Sequence, residues 1–116
     1  MTERTGPYRS QWRLFTSALT EDGARAAGTS VLAGLLVSTT IDLGIAPYFQ
    51  GGFKVDFELD HGGDWDEVTA AVTLAFERVC VSTHQVEAGP DVLELWCDAL
   101  NVPRVEALSV VLDRGD

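Results

Sequence analysis

The sequence predicts a single compact α+β domain spanning residues 1–116, mainly an antiparallel sheet with helices packed on one face. Three observations predict it. Residues 53–60 alternate apolar and charged side chains with period two. Residues 64–80 repeat apolar side chains at helical spacing behind an acidic start. The whole chain has 116 residues, 46% of them hydrophobic, which is enough for one core and too little for two.

The elements follow in order. Residues 10–19 fit a strand (Trp12, Leu14, Thr16) or a helix (Trp12, Phe15, Leu19), and periodicity leaves both open. The stretch from Glu21 to about Gly34 reads as a helix weakened by Gly23 and Gly28. Residues 35–45 are rich in β-branched side chains and read as a strand, pairing with 53–60 through the loop 46–52. In 53–60, Phe53, Val55, Phe57 and Leu59 face a core while Lys54, Asp56, Glu58 and Asp60 face water. Asp64 caps the helix 64–80, and Glu67 three residues on completes a capping box. Its stripe is Val68, Ala71, Val72, Ala75, Phe76 and Val79. Residues 81–87 are a connector or a short strand. Pro90 suits a first helical turn, followed by Val92, Leu93, Leu95, Trp96, Ala99 and Leu100, with Asn101–Pro103 as the stop. Residues 104–112 are apolar on both faces, as in a central strand. Trp12 and Trp96 are expected in the core.

This order, strand–helix–strand–strand–helix–helix–strand, resembles the ferredoxin-like split βαβ arrangement with one extra helix. The resemblance is one of element order alone. It implies a fold and no activity.

Eighteen acidic against eight basic side chains leave a net charge of −10. Like charge argues against direct binding of nucleic acid or of an anionic membrane. The charge is uneven: residues 1–27 carry +1, residues 28–63 carry −3 and residues 64–116 carry −8. No convincing signal peptide or bilayer-length apolar run is present, so the expected location is cytoplasmic. Two cysteines, Cys80 and Cys97, are too few for a disulfide framework. They are expected to be reduced and partly buried, with one disulfide as the alternative.

No motif names a reaction, and no catalytic residue, metal site or cofactor is assigned. Asp56, Glu58, Asp60 and Glu67 fall at positions 1, 3, 5 and 12 of a calcium loop. His61 stands where that loop needs glycine, and the strand alternation already explains the spacing. A looser metal site on Asp60, His61 and Asp64 has suitable ligand types and undiagnostic spacing. Gly51–Gly52 lacks the helix and lysine of a phosphate loop, and carboxylates crowd the helix after Gly62–Gly63. Cys80, Cys97, Ser82 and His84 carry no nucleophile signature.

What remains are carboxylates and aromatics. Asp91, Glu94 and Asp98 share one face if 90–100 is helical. Tyr48, Phe49 and Phe53 bracket a loop, and Trp65 opens an acidic helix. The expected function is therefore a small acidic protein-binding module that masks a basic surface of a partner, as immunity proteins, antitoxins and phage inhibitors do. The expected contacts are Asp56, Glu58, Asp60, Asp64, Asp66, Asp91, Glu94 and Asp98, with Trp65 and Tyr48 as anchors. The alternative is a small enzyme or ligand-binding subunit of an oligomer using His61 or His84 with a carboxylate.

Overall fold

A computed structural model describes residues 8–35, 42–82 and 84–114, with 84–88 described by backbone alone. The strands are β1 (Tyr8–Thr16), β2 (Gly44–Pro47), β3 (Phe53–His61), β4 (His84–Ala88), β5 (Val92–Cys97) and β6 (Val105–Asp113). The helices are α1 (Glu21–Gly34) and α2 (Trp65–Val79). All six strands join one antiparallel sheet in the order β2-β3-β1-β6-β5-β4. Helix α1 lies over β1, β2 and β3, and α2 over β1 and β5.

Strand β1 settles the first ambiguity. Tyr8, Ser10, Trp12, Leu14 and Thr16 are buried, while Arg9, Gln11 and Arg13 between them are exposed. Nine residues of strict alternation sit between β3 and β6, and that pairing decides the period. The Trp12 indole stacks on Phe57 at 5.8 Å between ring centroids and meets Phe76 of α2 at 5.9 Å. This trio joins the sheet to α2.

Helix α1 spans the expected residues despite its glycines, with Thr20 as N-cap accepting from the Gly23 amide at 3.0 Å. Gly28 has a packing reason. A Cβ there would stand 3.1 Å from both Leu43 and Val55, so any larger residue would make those side chains shift for α1 to keep its place on β3. Strand β2 is shorter than expected, and residues 36–41 lie outside the described residues. Its hairpin to β3 closes through Tyr48 and Gly52, whose amide and carbonyl bond at 3.0 Å. Gly52 has φ +73°, and a side chain there would run into the Thr16 carbonyl. Asp64 caps α2 as expected, accepting from the Glu67 amide at 2.9 Å.

The stretch after Pro90 corrects the sequence reading. Residues 92–97 form strand β5, not a helix. Leu93, Leu95 and Cys97 point inward and pack with the buried row Leu108, Val110 and Leu112 of β6. Residues 84–88 form β4, and the β4–β5 turn closes with the Gly89 amide on the Val92 carbonyl at 2.9 Å. The extra element is therefore a β-hairpin that widens the sheet. The order β2-β3-β1-β6, with helices after β1 and β3, is the split βαβ order, and the ferredoxin-like reading rests on that topology. Trp96 is a second correction. It lies on the outward side of β5 and is 36% exposed, because alternation follows the strand and not the expected helix.

Candidate partner-docking site

The antiparallel register decides the fate of the β3 carboxylates. It sets Arg9 opposite Asp60, Gln11 opposite Glu58 and Arg13 opposite Asp56. Arg13 Nε donates to Asp56 at 2.6 Å, and Arg9 Nε lies 3.1 Å from Asp60 and 3.2 Å from Glu58. These carboxylates hold both guanidinium pKa values above the ordinary range, chiefly through the direct hydrogen bonds. The pairs are exposed and contribute little stability, about 0–1 kcal/mol each. Their electrostatic consequence is larger. Asp56, Glu58 and Asp60 were expected to be open to a basic partner, and each already has an arginine.

Further acidic side chains lie on α2. Asp64 holds the cap, and the backbone amide of Glu67 keeps its carboxyl below the ordinary range. Asp66 and Glu67 follow on the exposed first turn, where the helix dipole favours anions. From Asp66 a groove of about 510 Å³ runs along the helix, lined by Thr69, Ala70, Thr73, Leu74 and Glu77. Asp66 to Glu77 is eleven helical steps, or about 16 Å. The opposite wall is Gly89, Val92 and Leu93 of the β4–β5 hairpin. Among the described residues its lining includes two carboxylates and no cation.

Both ends of the groove are fastened. At the Asp66 end, Trp65 is buried, meets the Tyr8 ring edge-on at 5.5 Å and carries the Arg114 guanidinium 5.9 Å from its ring. The Arg114 amide donates to the Asp91 carbonyl at 2.8 Å, and its side chain reaches the Pro90 carbonyl at 3.2 Å. Trp65 is thus part of the core wall, not a protruding anchor. At the other end Cys80, which ends α2, is disulfide-bonded to Cys97, which ends β5. The expectation of reduced thiols is overturned. The fold brings the two Cα atoms within 6.5 Å, inside the range a disulfide needs. Asn101 and Val81 amides bond the Val79 and Ala99 carbonyls beside them, at 2.8 and 2.7 Å.

The stripe Asp91, Glu94, Asp98 does not exist as one face, because 92–97 is a strand. Asp91 sits in the β4–β5 turn near the groove end, Glu94 lies on the outward side of β5, and Asp98 is exposed beyond it. Tyr48 is half-buried between Phe15 and Phe49, at 4.9 and 4.8 Å between ring centroids. Glu77, Leu74 and the threonines of the groove escaped the sequence reading. The available signal was Leu74, which falls off the apolar stripe of α2 and is 55% exposed.

Among the described residues His61 makes no hydrogen bond to a carboxylate, and Asp60 acts on it only through its charge. Its Nε2 lies 2.6 Å from the Ser10 hydroxyl, which also accepts from the Trp12 indole N–H at 2.7 Å. Ser10 is fully buried, so this chain satisfies core polar groups and offers no reachable nucleophile. Burial lowers the His61 pKa below its ordinary value, and the neighbouring Asp60 charge opposes that shift. The His84 side chain lies outside the described residues. Among the described residues, no group of three or more His, Cys, Asp or Glu is placed to hold a metal, and no helix is long and apolar enough to cross a membrane. No family model matches the chain, and no curated protein or solved structure shows significant similarity to it.

Proposed function

We propose that this chain is a small acidic protein-binding module, and that the groove between α2 and the β4–β5 hairpin receives a basic, partly apolar segment of its partner. The observation that carries the reading is the lining. Ala70, Leu74, Val92 and Leu93 give an apolar floor, and Asp66 and Glu77 stand at either end of the helical wall. Such a groove suits Lys or Arg at the rim and aliphatic side chains within. Asp64, Glu67 and Asp91, around the Asp66 end, add to the steering field. Immunity proteins, antitoxins and phage inhibitors work by this kind of masking. The composition suggests the cytoplasm, whereas the Cys80–Cys97 bond favours an oxidising compartment.

The test is charge reversal. Partners captured from the native host at low salt are compared for the wild type, Asp66→Lys/Glu77→Lys and Asp56→Lys. A basic protein held by the wild type should be lost with the groove variant and kept by Asp56→Lys. Its retention should fall steeply with salt. A partner indifferent to the groove variant would sink the proposal.

A further inference from the structure

On the reading of the α2–hairpin groove as a partner site, on which this step rests, we infer that its occupant is an amphipathic, basic α-helix laid along α2. The walls decide that form. The α2 backbone is bonded within its own helix, and β5 is bonded to β4 on one side and to β6 on the other. The Gly89 amide is taken by the Val92 carbonyl. The hydroxyls of Thr69 and Thr73 already donate to the carbonyls of Asp66 and Thr69, at 3.0 and 2.8 Å. An extended segment seated over Ala70, Leu74, Val92 and Leu93 would therefore find no strand edge to pair with. Its buried amides and carbonyls would lose water without replacement. A helix satisfies its own backbone and needs only side-chain contact from the groove.

The α2 wall has the spacing a second helix reads. Asp66, Thr69, Ala70, Thr73, Leu74 and Glu77 fall at i, i+3, i+4, i+7, i+8 and i+11, one side of a helix. That side is distinct from the buried stripe Val68, Val72, Phe76 and Val79. Thr69, Ala70 and Thr73 are small, which lets a second axis come toward the near end of the usual separation of about 8–10 Å. Leu74 is exposed and supplies apolar contact. Asp66 and Glu77 bound the patch, eleven residues apart. A helix crossing α2 at the shallow angle of bundle packing, about 20°, meets both carboxylates with Lys or Arg at its own positions i and i+11. Aliphatic residues between those two positions then face Ala70 and Leu74. Charge and spacing thus specify the same occupant.

The experiment titrates the full chain with two synthetic peptides at low salt. The first, of about 15 residues and marginal as a helix alone, has Lys at i and i+11 with Leu and Ala on the same face between them. The second keeps those residues and carries two prolines on the opposite face, so it cannot be helical. The wild type should bind the first with a gain of helical circular dichroism, and the second at least about tenfold more weakly. Asp66→Lys/Glu77→Lys and, separately, Leu74→Asp should each lose the first peptide. All three positions are exposed, circular dichroism of the free variants checks their folds, and either variant decides alone if the other does not fold. Equal binding of the two peptides, or binding of the first without helix gain, each lost in the groove variants, would overturn the helical occupant and leave the groove as a partner site. Binding of neither peptide, or binding that folded groove variants keep, would overturn both.

Discussion

Ser10 is fully buried on β1, and its hydroxyl serves three neighbours. It accepts from Trp12 and lies 2.6 Å from His61 and 3.4 Å from the Leu59 carbonyl. With Trp12 donating, the serine proton goes to His61 Nε2 or to the Leu59 carbonyl, according to the histidine tautomer. Protonated His61 carries a proton on Nε2 and leaves the serine proton only the longer Leu59 contact. Burial makes this unfavourable, so the folded His61 pKa lies below the ordinary 6.5. The unfolded chain then binds more protons just below pH 6.5, and stability falls there. The contribution is complete above that pH and is lost as pH drops through the window beneath it. Urea midpoints measured from neutral pH to about 5 should fall for the wild type and fall less for His61→Gln. Equal slopes for the two proteins would rule out His61 as the cause. In the sequence, His61 beside two glycines reads as a turn residue. Its serine partner is 51 positions away, a separation only the β1–β3 register closes.

At the scale of elements, β3 and α2 were legible because their signals are local. Four apolar–charged repeats define the strand, and Asp64 with Glu67 marks the helix start. Residues 90–100 were not legible, and the reason is degeneracy. Leu93, Leu95, Trp96 and Leu100 satisfy a helical stripe, while Leu93, Leu95 and Cys97 satisfy an inward strand row. What decides is the distant partner β6, together with Cys80 waiting at the end of α2. That disulfide closes a loop with sequence separation 17. Its loss is expected to cost about 3 kcal/mol through the unfolded state. Cys80→Ala/Cys97→Ala, or reduced wild type, should unfold at correspondingly lower urea. The backbone bonds around Val79, Val81 and Asn101 should keep the reduced fold native by circular dichroism. An unmoved midpoint on reduction would show that the bond is not a constraint.

For the whole molecule, net charge was the most visible property of the sequence and the least specific. The total of −10 hides a division that only the sheet reveals. Arg9 and Arg13, in the mildly basic N-terminal stretch, cross to β3 and neutralise the carboxylates that looked most available. Part of the acidity left open lies along α2 and at the hairpin turn, beside an apolar floor with no cation among its described lining residues. The molecule thus has two surfaces of different character, a sheet face on which Arg9 and Arg13 pair with carboxylates and an acid-rimmed groove. The most direct measurement is an NMR titration of the labelled full chain with a Lys/Leu-rich amphipathic peptide. Docking in the groove predicts amide shifts concentrated at Asp66, Ala70, Thr73, Leu74, Glu77, Val92 and Leu93, fading as salt is raised. Shifts spread evenly over all acidic positions, including Asp56 and Asp60, or no shifts at low salt, would contradict it.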